Sequence, residues 1–194
     1  MEMHSIETRL ARLAKAGDRA AFEDLVELYK DRIYHLGYRM LGNRQEAEDI
    51  VQETFLRVFR SIDRYDPSMK FSTWIYRIGT NLSIDRLRKR RAKIYSLDAE
   101  IGNDSEGSDG YGMLASDDPT PEGQAILSET QQRIREAIDS LPPKYKPVVV
   151  LKYLHDMSLQ EIGEVLDMPV TTVKTRVHRG RDFLRKKLER DEIL

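Results

Sequence analysis

"MSLQEIGEVLDMPVTTVKTRVHRGRDFLRKKL" (residues 157–188) holds two apolar stripes at helical spacing with a short break between them. Ser158 followed three residues later by Glu161 is a capping box, in which each side chain bonds the other's backbone N–H and so opens a helix. Leu159, Ile162, Val165 and Leu166 form the buried face of that helix, and Gly163 is small enough to let a second helix cross close by. "DMP" (167–169) is the turn, with Met168 as a core plug. A second helix starts near Thr171 and turns Val173, Val177, Leu184 and Leu188 inward. Two short helices joined in this way make a helix-turn-helix, whose second member can enter a DNA major groove. Opposite the valines stand Lys174, Thr175, His178, Arg179 and Asp182. Guanine O6 and N7 and adenine N7 and N6 suit such side chains. Arg181, Arg185, Lys186 and Lys187 are better placed for phosphates, which give affinity without sequence choice. A basic helix that merely closes a bundle would also be solvated, but polarity, spacing and charge here agree on DNA binding.

Upstream, Leu127, Ile134, Ala137 and Ile138 predict a helix ending at "SLPP" (140–143). Pro143 can start the next helix at its first turn, where its missing N–H has no intrahelical partner; Val148, Val149, Leu151 and Leu154 continue it. Residues 96–125, "SLDAEIGNDSEGSDGYGMLASDDPTPEGQA", are rich in Gly, Ser, Asp and Pro and lack an apolar period, which reads as a linker. The chain thus divides into a unit at 5–93, an acidic linker at 94–127 and the helix-turn-helix unit at 128–190. Every periodic segment has helical spacing, so the expected fold is all-α: two small helical domains on a flexible tether.

In the first unit, Phe22, Leu25, Val26, Tyr29, Ile33, Leu36, Gly37 and Met40 predict one long helix, which "LGNRQ" breaks. Asn43 is placed to cap the next helix, whose apolar face is Ala47, Ile50, Val51, Thr54, Phe55, Val58 and Ile62. Its other face carries Asp49, Gln52, Glu53, Leu56 and Arg57, either an ordinary solvated surface or a dock for a partner helix bearing arginines. After the loop "DRYDPSMK" (63–70) comes "FSTWIYRIGTNLSIDRLRKRR" (71–91), with Phe71, Trp74, Ile75, Ile78 and Leu82 as its buried stripe. Thr73, Arg77, Asn81 and Arg88 share a polar face. Tyr65 and Phe71 flank the loop, and aromatic rings beside an amide and a basic helix suit an unstacked single-stranded base. Core packing accounts for Trp74, and Asn81 reads equally as a plain surface residue.

The net charge of −1 conceals a segregation that matters more for phosphate binding. Six of the eight residues from Arg86 to Lys93 are Lys or Arg, whereas residues 94–132 contain neither. The chain has no cysteine, which excludes disulfides, thiol chemistry and cysteine zinc sites together. Its four histidines are scattered, with no Walker loop, nucleophile elbow or carboxylate cluster, so no enzyme, cofactor, metal or small-molecule substrate is expected. The N-terminus has no apolar signal region and no stretch approaches a membrane span, so a cytoplasmic protein is expected. A stand-alone helix-turn-helix regulator and a DNA-acting recombinase are the competing readings; the former would bind its operator unaided.

The residues also carry a family likeness. "AFEDLVELYKDRIYHLGYRML" (21–41) resembles region 2.1 of bacterial extracytoplasmic-function (group 4) sigma factors. "EAEDIVQETFLRVFRSIDRYDPSMKFSTWIYRIGTNLSIDRLRKR" (46–90) resembles their regions 2.2 to 2.4, and 141–188 resembles regions 4.1 and 4.2. Within the family the likeness is greatest to the sigma-W type, associated with cell-envelope stress. The resemblance implies docking of Asp49, Gln52, Glu53 and Leu56 on the β′ clamp helices of RNA polymerase core, with region 4 meeting the β flap. It implies that Tyr65, Lys70, Phe71 and Asn81 capture a flipped base of the −10 element of promoter DNA, and that Arg86, Arg88, Lys89 and Arg90 follow its phosphates. Lys174, Thr175, His178, Arg179, Arg181 and Arg185 would face the −35 element. A membrane-anchored anti-sigma factor is the further partner implied. Thr171 departs from the glycine common at that family position, a change that a helix start tolerates.

Overall fold

The computed structural model describes residues 2–101 and 129–191. Among these, α1 (Glu2–Lys15), α2 (Arg19–Leu41), α3 (Arg44–Ser61), a 3-10 turn (Ile62–Arg64) and α4 (Phe71–Ile101) form the first unit. α5 (Glu129–Asp139), α6 (Lys146–Tyr153), α7 (Leu159–Leu166) and α8 (Val170–Asp191) form the second. No described residue lies in a strand, and no described helix is long and apolar enough to cross a membrane.

The helix starts follow from capping side chains. Asp18 Oδ1 accepts from the Ala21 N–H at 3.1 Å to open α2, and Asn43 Oδ1 accepts from the Glu46 N–H at 2.9 Å to open α3. Each such bond satisfies an orphan donor and is worth about 1 kcal/mol. Ser158 and Glu161 make both bonds of the capping box, at 3.2 and 2.9 Å. The turn after α7 brings the Met168 carbonyl so near Gly163 that a Cβ there would sit 2.9 Å from it. The start of α6 differs from expectation. Residues 143–145 form a turn in which the Pro142 carbonyl accepts from both Tyr145 and Lys146, and α6 begins at Lys146. The first-turn proline is therefore Pro147 rather than Pro143. α4 also differs, running to Ile101 through residues 94–101 that composition assigned to the linker.

In the first unit, Leu25, Tyr29, Ile33, Leu36, Met40, Ile50, Val58 and Ile75 are fully enclosed. Phe71 packs edge-on against Tyr29, Tyr65 and Trp74, with ring centroids 5.1–5.7 Å apart within this four-ring cluster. Burial of each such large apolar side chain contributes roughly 2 kcal/mol, which fastens the N-terminal turns of α4 in place. In the second unit, Leu141, Val148, Val150, Leu151, Ile162, Val165 and Val173 form the core. The two units are in contact: α7 lies across α4, while α5 and α6 meet α2. One expectation differs on α4. Thr73, expected on an exposed polar face, is 1% exposed.

Candidate nucleic-acid interface

Three surfaces gather the candidate residues. The first is on α8, where burial of Val173 and Val177 against α6 and α7 leaves the opposite face to solvent. Lys174, Thr175, His178, Arg179, Arg181 and Arg185 are all exposed. The His178 Nδ1 lies 3.0 Å from Asp182, and the Thr175 hydroxyl donates to the Thr171 carbonyl at 3.0 Å. A surface concavity of about 400 Å³ is lined by Thr171, Thr175, Arg176 and Arg179 of α8 together with Lys144 and Tyr145 ahead of α6. Partial burial opposes ionisation of Tyr145, but hydrogen bonding to Arg179 and Lys144 outweighs it and lowers the phenol's pKa. Lys144 and Tyr145 were not foreseen. The clue was Gly180: a Cβ there would meet Val149 Cγ2 at 2.5 Å and Tyr145 Cβ at 3.3 Å, so only glycine lets the Tyr145 turn reach α8.

The second surface is a groove of about 610 Å³ between α3 and α4, lined by Asp49, Gln52, Glu53, Leu56 and Arg57 on one wall and Leu82, Asp85, Arg86 and Lys89 on the other. Leu56 is 41% exposed among these charged groups. All four residues expected to dock a partner helix are thus brought together, and the groove is polar at its walls with leucines between. Arg86 reaches across it to Asp49 at 3.2 Å.

The third comprises the loop before α4 and the helix itself. Tyr65 and Phe71 are each 1% exposed, and the Tyr65 hydroxyl donates to the Met69 carbonyl at 2.6 Å. Asn81 is exposed. Lys70 pairs with Glu161 of α7 at 2.7 Å. Arg88 lies 3.7 Å from Asp85, and Arg90 pairs with Glu46 while donating to the Leu41 carbonyl at 3.0 Å. The expected −10 set therefore does not form one open face. Its rings are packed as core, Arg90 ties α4 to the end of α2, and Asn81 and Lys89 stand at the surface. Among the described residues no cluster of three or more His, Asp or Glu could hold a metal.

Known proteins resemble this chain along both units. Residues 25–93 match the family described as Sigma-70 region 2, and residues 131–184 match Sigma-70, region 4. The chain is 52% identical over 188 residues to ECF RNA polymerase sigma factor SigW of Bacillus subtilis, covering 97% of this chain and 98% of that one. It is 31% identical over 180 residues to the ECF RNA polymerase sigma-E factor of Haemophilus influenzae, covering 93% and 94%. Among solved structures, CnrH in complex with the cytosolic domain of CnrY superposes with a TM-score of 0.70 at 25% identity, over 96% of this chain and 99% of that one. With both sigma regions present in order and a relative aligned along nearly its whole length, the chain belongs to the sigma-70 family, as an extracytoplasmic-function RNA polymerase sigma factor.

Proposed function

We propose that this chain brings RNA polymerase core to envelope-stress promoters, reads the −35 element as duplex with α8 and opens the −10 element with the first unit. The observation that carries the −35 assignment is the exposed basic face of α8 opposite buried Val173 and Val177. Arg179 and Thr175, joined by Lys144 and Tyr145 in one concavity, suit a base edge with its flanking phosphates. The groove holding Asp49, Gln52, Glu53 and Leu56 suits a basic partner helix with an apolar ridge, such as a polymerase clamp helix. Region 4 meets the β flap in this reading, and the acidic linker follows a path lined by cations within the enzyme. Asn81 holds an unstacked base, whose capture offsets a few kcal/mol of melting.

The protein works in the cytoplasm, as a transcription initiation factor rather than an enzyme. CnrH is described in complex with the cytosolic domain of CnrY; for this chain we infer a protein partner of the anti-sigma kind, which holds it inactive. Run-off transcription with core polymerase on a promoter library tests the proposal: initiation confined to related promoters is expected. Absence of initiation overturns it, and a gel shift on duplex without polymerase would then favour a stand-alone regulator. Asn81→Ala should lower promoter opening and leave core binding in a pull-down unchanged.

A further inference from the structure

An arginine that reads a base needs two things that oppose each other, a fixed direction and a free charge. A carboxylate partner fixes a guanidinium, but it neutralises it and sets a negative group against any approaching phosphate. On α8 the partner of Arg179 is of another kind. Asp182, three residues on, is turned to His178 at 3.0 Å, and Arg179 makes no ion pair among the described residues. Its guanidinium is instead hydrogen-bonded to the phenol of Tyr145, which Lys144 also holds.

Tyr145 can set a direction because it is itself fixed. It ends the turn before α6: its N–H donates to the Pro142 carbonyl at 2.8 Å, and its carbonyl accepts from the Val149 N–H at 3.1 Å. α6 packs on α8, and Val149 is 1% exposed. Gly180, next to Arg179, lets the turn come this close, since a Cβ there would lie 2.5 Å from Val149 Cγ2 and 3.3 Å from Tyr145 Cβ. The ring thus stands on the core of the second unit, whereas Arg179 is a long, exposed side chain. Lys144 Nζ lies 5.0 Å from the ring centroid and adds positive charge but no acceptor. A neutral phenol oxygen accepts a bond without carrying charge, so the rest of the guanidinium's five N–H donors stay available. Two of them are what guanine O6 and N7 require.

We propose that Tyr145 is a positioning residue for −35 reading: its phenol oxygen holds the Arg179 guanidinium ready for a base edge without neutralising it. The proposal rests on the promoter-reading function for what Arg179 reads, but the contact between Tyr145 and Arg179 is a property of the second unit alone. Holding a flexible side chain in its binding rotamer removes part of the entropy that association would otherwise cost. Tyr145 therefore acts through Arg179 and gives selectivity, whereas Lys144 beside it gives attraction to phosphates of any sequence.

Tyr145→Phe keeps the ring and removes only the oxygen. With core polymerase, on a promoter selected by run-off transcription, it should lower affinity about three- to tenfold. It should also narrow the gap between that promoter and versions substituted at the −35 base pair that Arg179 reads. In an Arg179→Ala background the same change should have no effect, since the two side chains act as one unit. A full loss in that background overturns the proposal, because Tyr145 would then act on DNA itself. An equal loss on every −35 sequence overturns it too. The contact also has a readout without DNA. Burial opposes ionisation of the phenol, but its bonds to Arg179 and Lys144 outweigh this and lower its pKa. Arg179→Ala should therefore raise the titration midpoint of the Tyr145 ring, followed by NMR with isotope-labelled tyrosine and assigned by its loss in Tyr145→Phe. An unmoved midpoint overturns the contact. Failure of run-off initiation would remove the promoter function and leave this titration to decide the contact.

Discussion

The two basic helices of this protein look alike in sequence and are used differently. On α4, three arginines are occupied: Arg86 by Asp49, Arg88 by Asp85, Arg90 by Glu46 and the Leu41 carbonyl. On α8, Lys174, Arg181 and Arg185 make no ion pair among the described residues, and all are exposed. Phosphates can therefore approach α8 by displacing only water and counterions. At these three arginines the same phosphates must exchange with carboxylates, so binding there is coupled to rearrangement within the first unit. Basicity read along a chain counts charges; the fold decides which are available.

The largest effect expected from this contrast is at Arg90. Its side chain bridges Glu46 and the Leu41 carbonyl with both partners largely shielded, and Arg90→Ala leaves a carboxylate and a carbonyl without their donor. Breaking such a pair from one side should cost about 2–3 kcal/mol, seen as a lower urea midpoint with unchanged slope. Arg185→Ala in the same assay should change nothing measurable. A small loss at Arg90 would mean that its role is with DNA after all, and the contrast between the helices would fail. Next in size is Arg179→Ala, expected to cost on the order of 1–3 kcal/mol at the −35 element if Arg179 reads a base. An equal loss on unrelated duplex would instead make it a phosphate contact, with a salt slope shallower by about one.

Much of this was legible in the sequence because it was local. Asn43, Ser158 and Glu161 act within four residues of themselves, and the apolar periods of α2, α3 and α8 needed no knowledge of the tertiary fold. The misses share a different cause. Thr73 is polar yet buried, at 1% exposed. Tyr65 and Phe71 could be read as stacking surfaces until the aromatic cluster enclosed them. Lys144 and Tyr145 join the recognition helix only because Gly180 permits close approach from 35 residues away in sequence. The ion pairs that join α3 to α4 were hidden for the same reason, since Arg90 and Glu46 are 44 residues apart.

Smaller effects test the Lys70–Glu161 pair and the groove. Burial raises the Glu161 carboxyl's affinity for a proton, but hydrogen bonds from Lys70 and Ser158 overcome this and hold it near 2 instead of 4.5. A depressed carboxylate stabilises the fold above pH 4.5 and loses that contribution as pH falls towards 2. With solvent screening at this partly exposed pair, about 1 kcal/mol is expected, measurable as a difference in acid unfolding between the wild type and Glu161→Gln.

The smallest effect, and the sharpest in sign, concerns Asp49. Its bond to Arg86 spans the groove with side chains 41% and 37% exposed, so Asp49→Asn should change stability by less than about 0.5 kcal/mol. Its consequences for binding run in opposite directions. Losing the carboxylate weakens the attraction of the groove for a basic polymerase helix, so core binding should fall. It also releases Arg86, the cation that α4 would otherwise have to detach before meeting a phosphate, so affinity for a −10 single strand should rise about twofold. Measured side by side, a fall in core affinity with a rise in strand affinity supports Asp49 as the group that docking and DNA binding share. A fall in both would make Asp49 a structural support of α4, and Arg86 would no longer be a cation held in reserve.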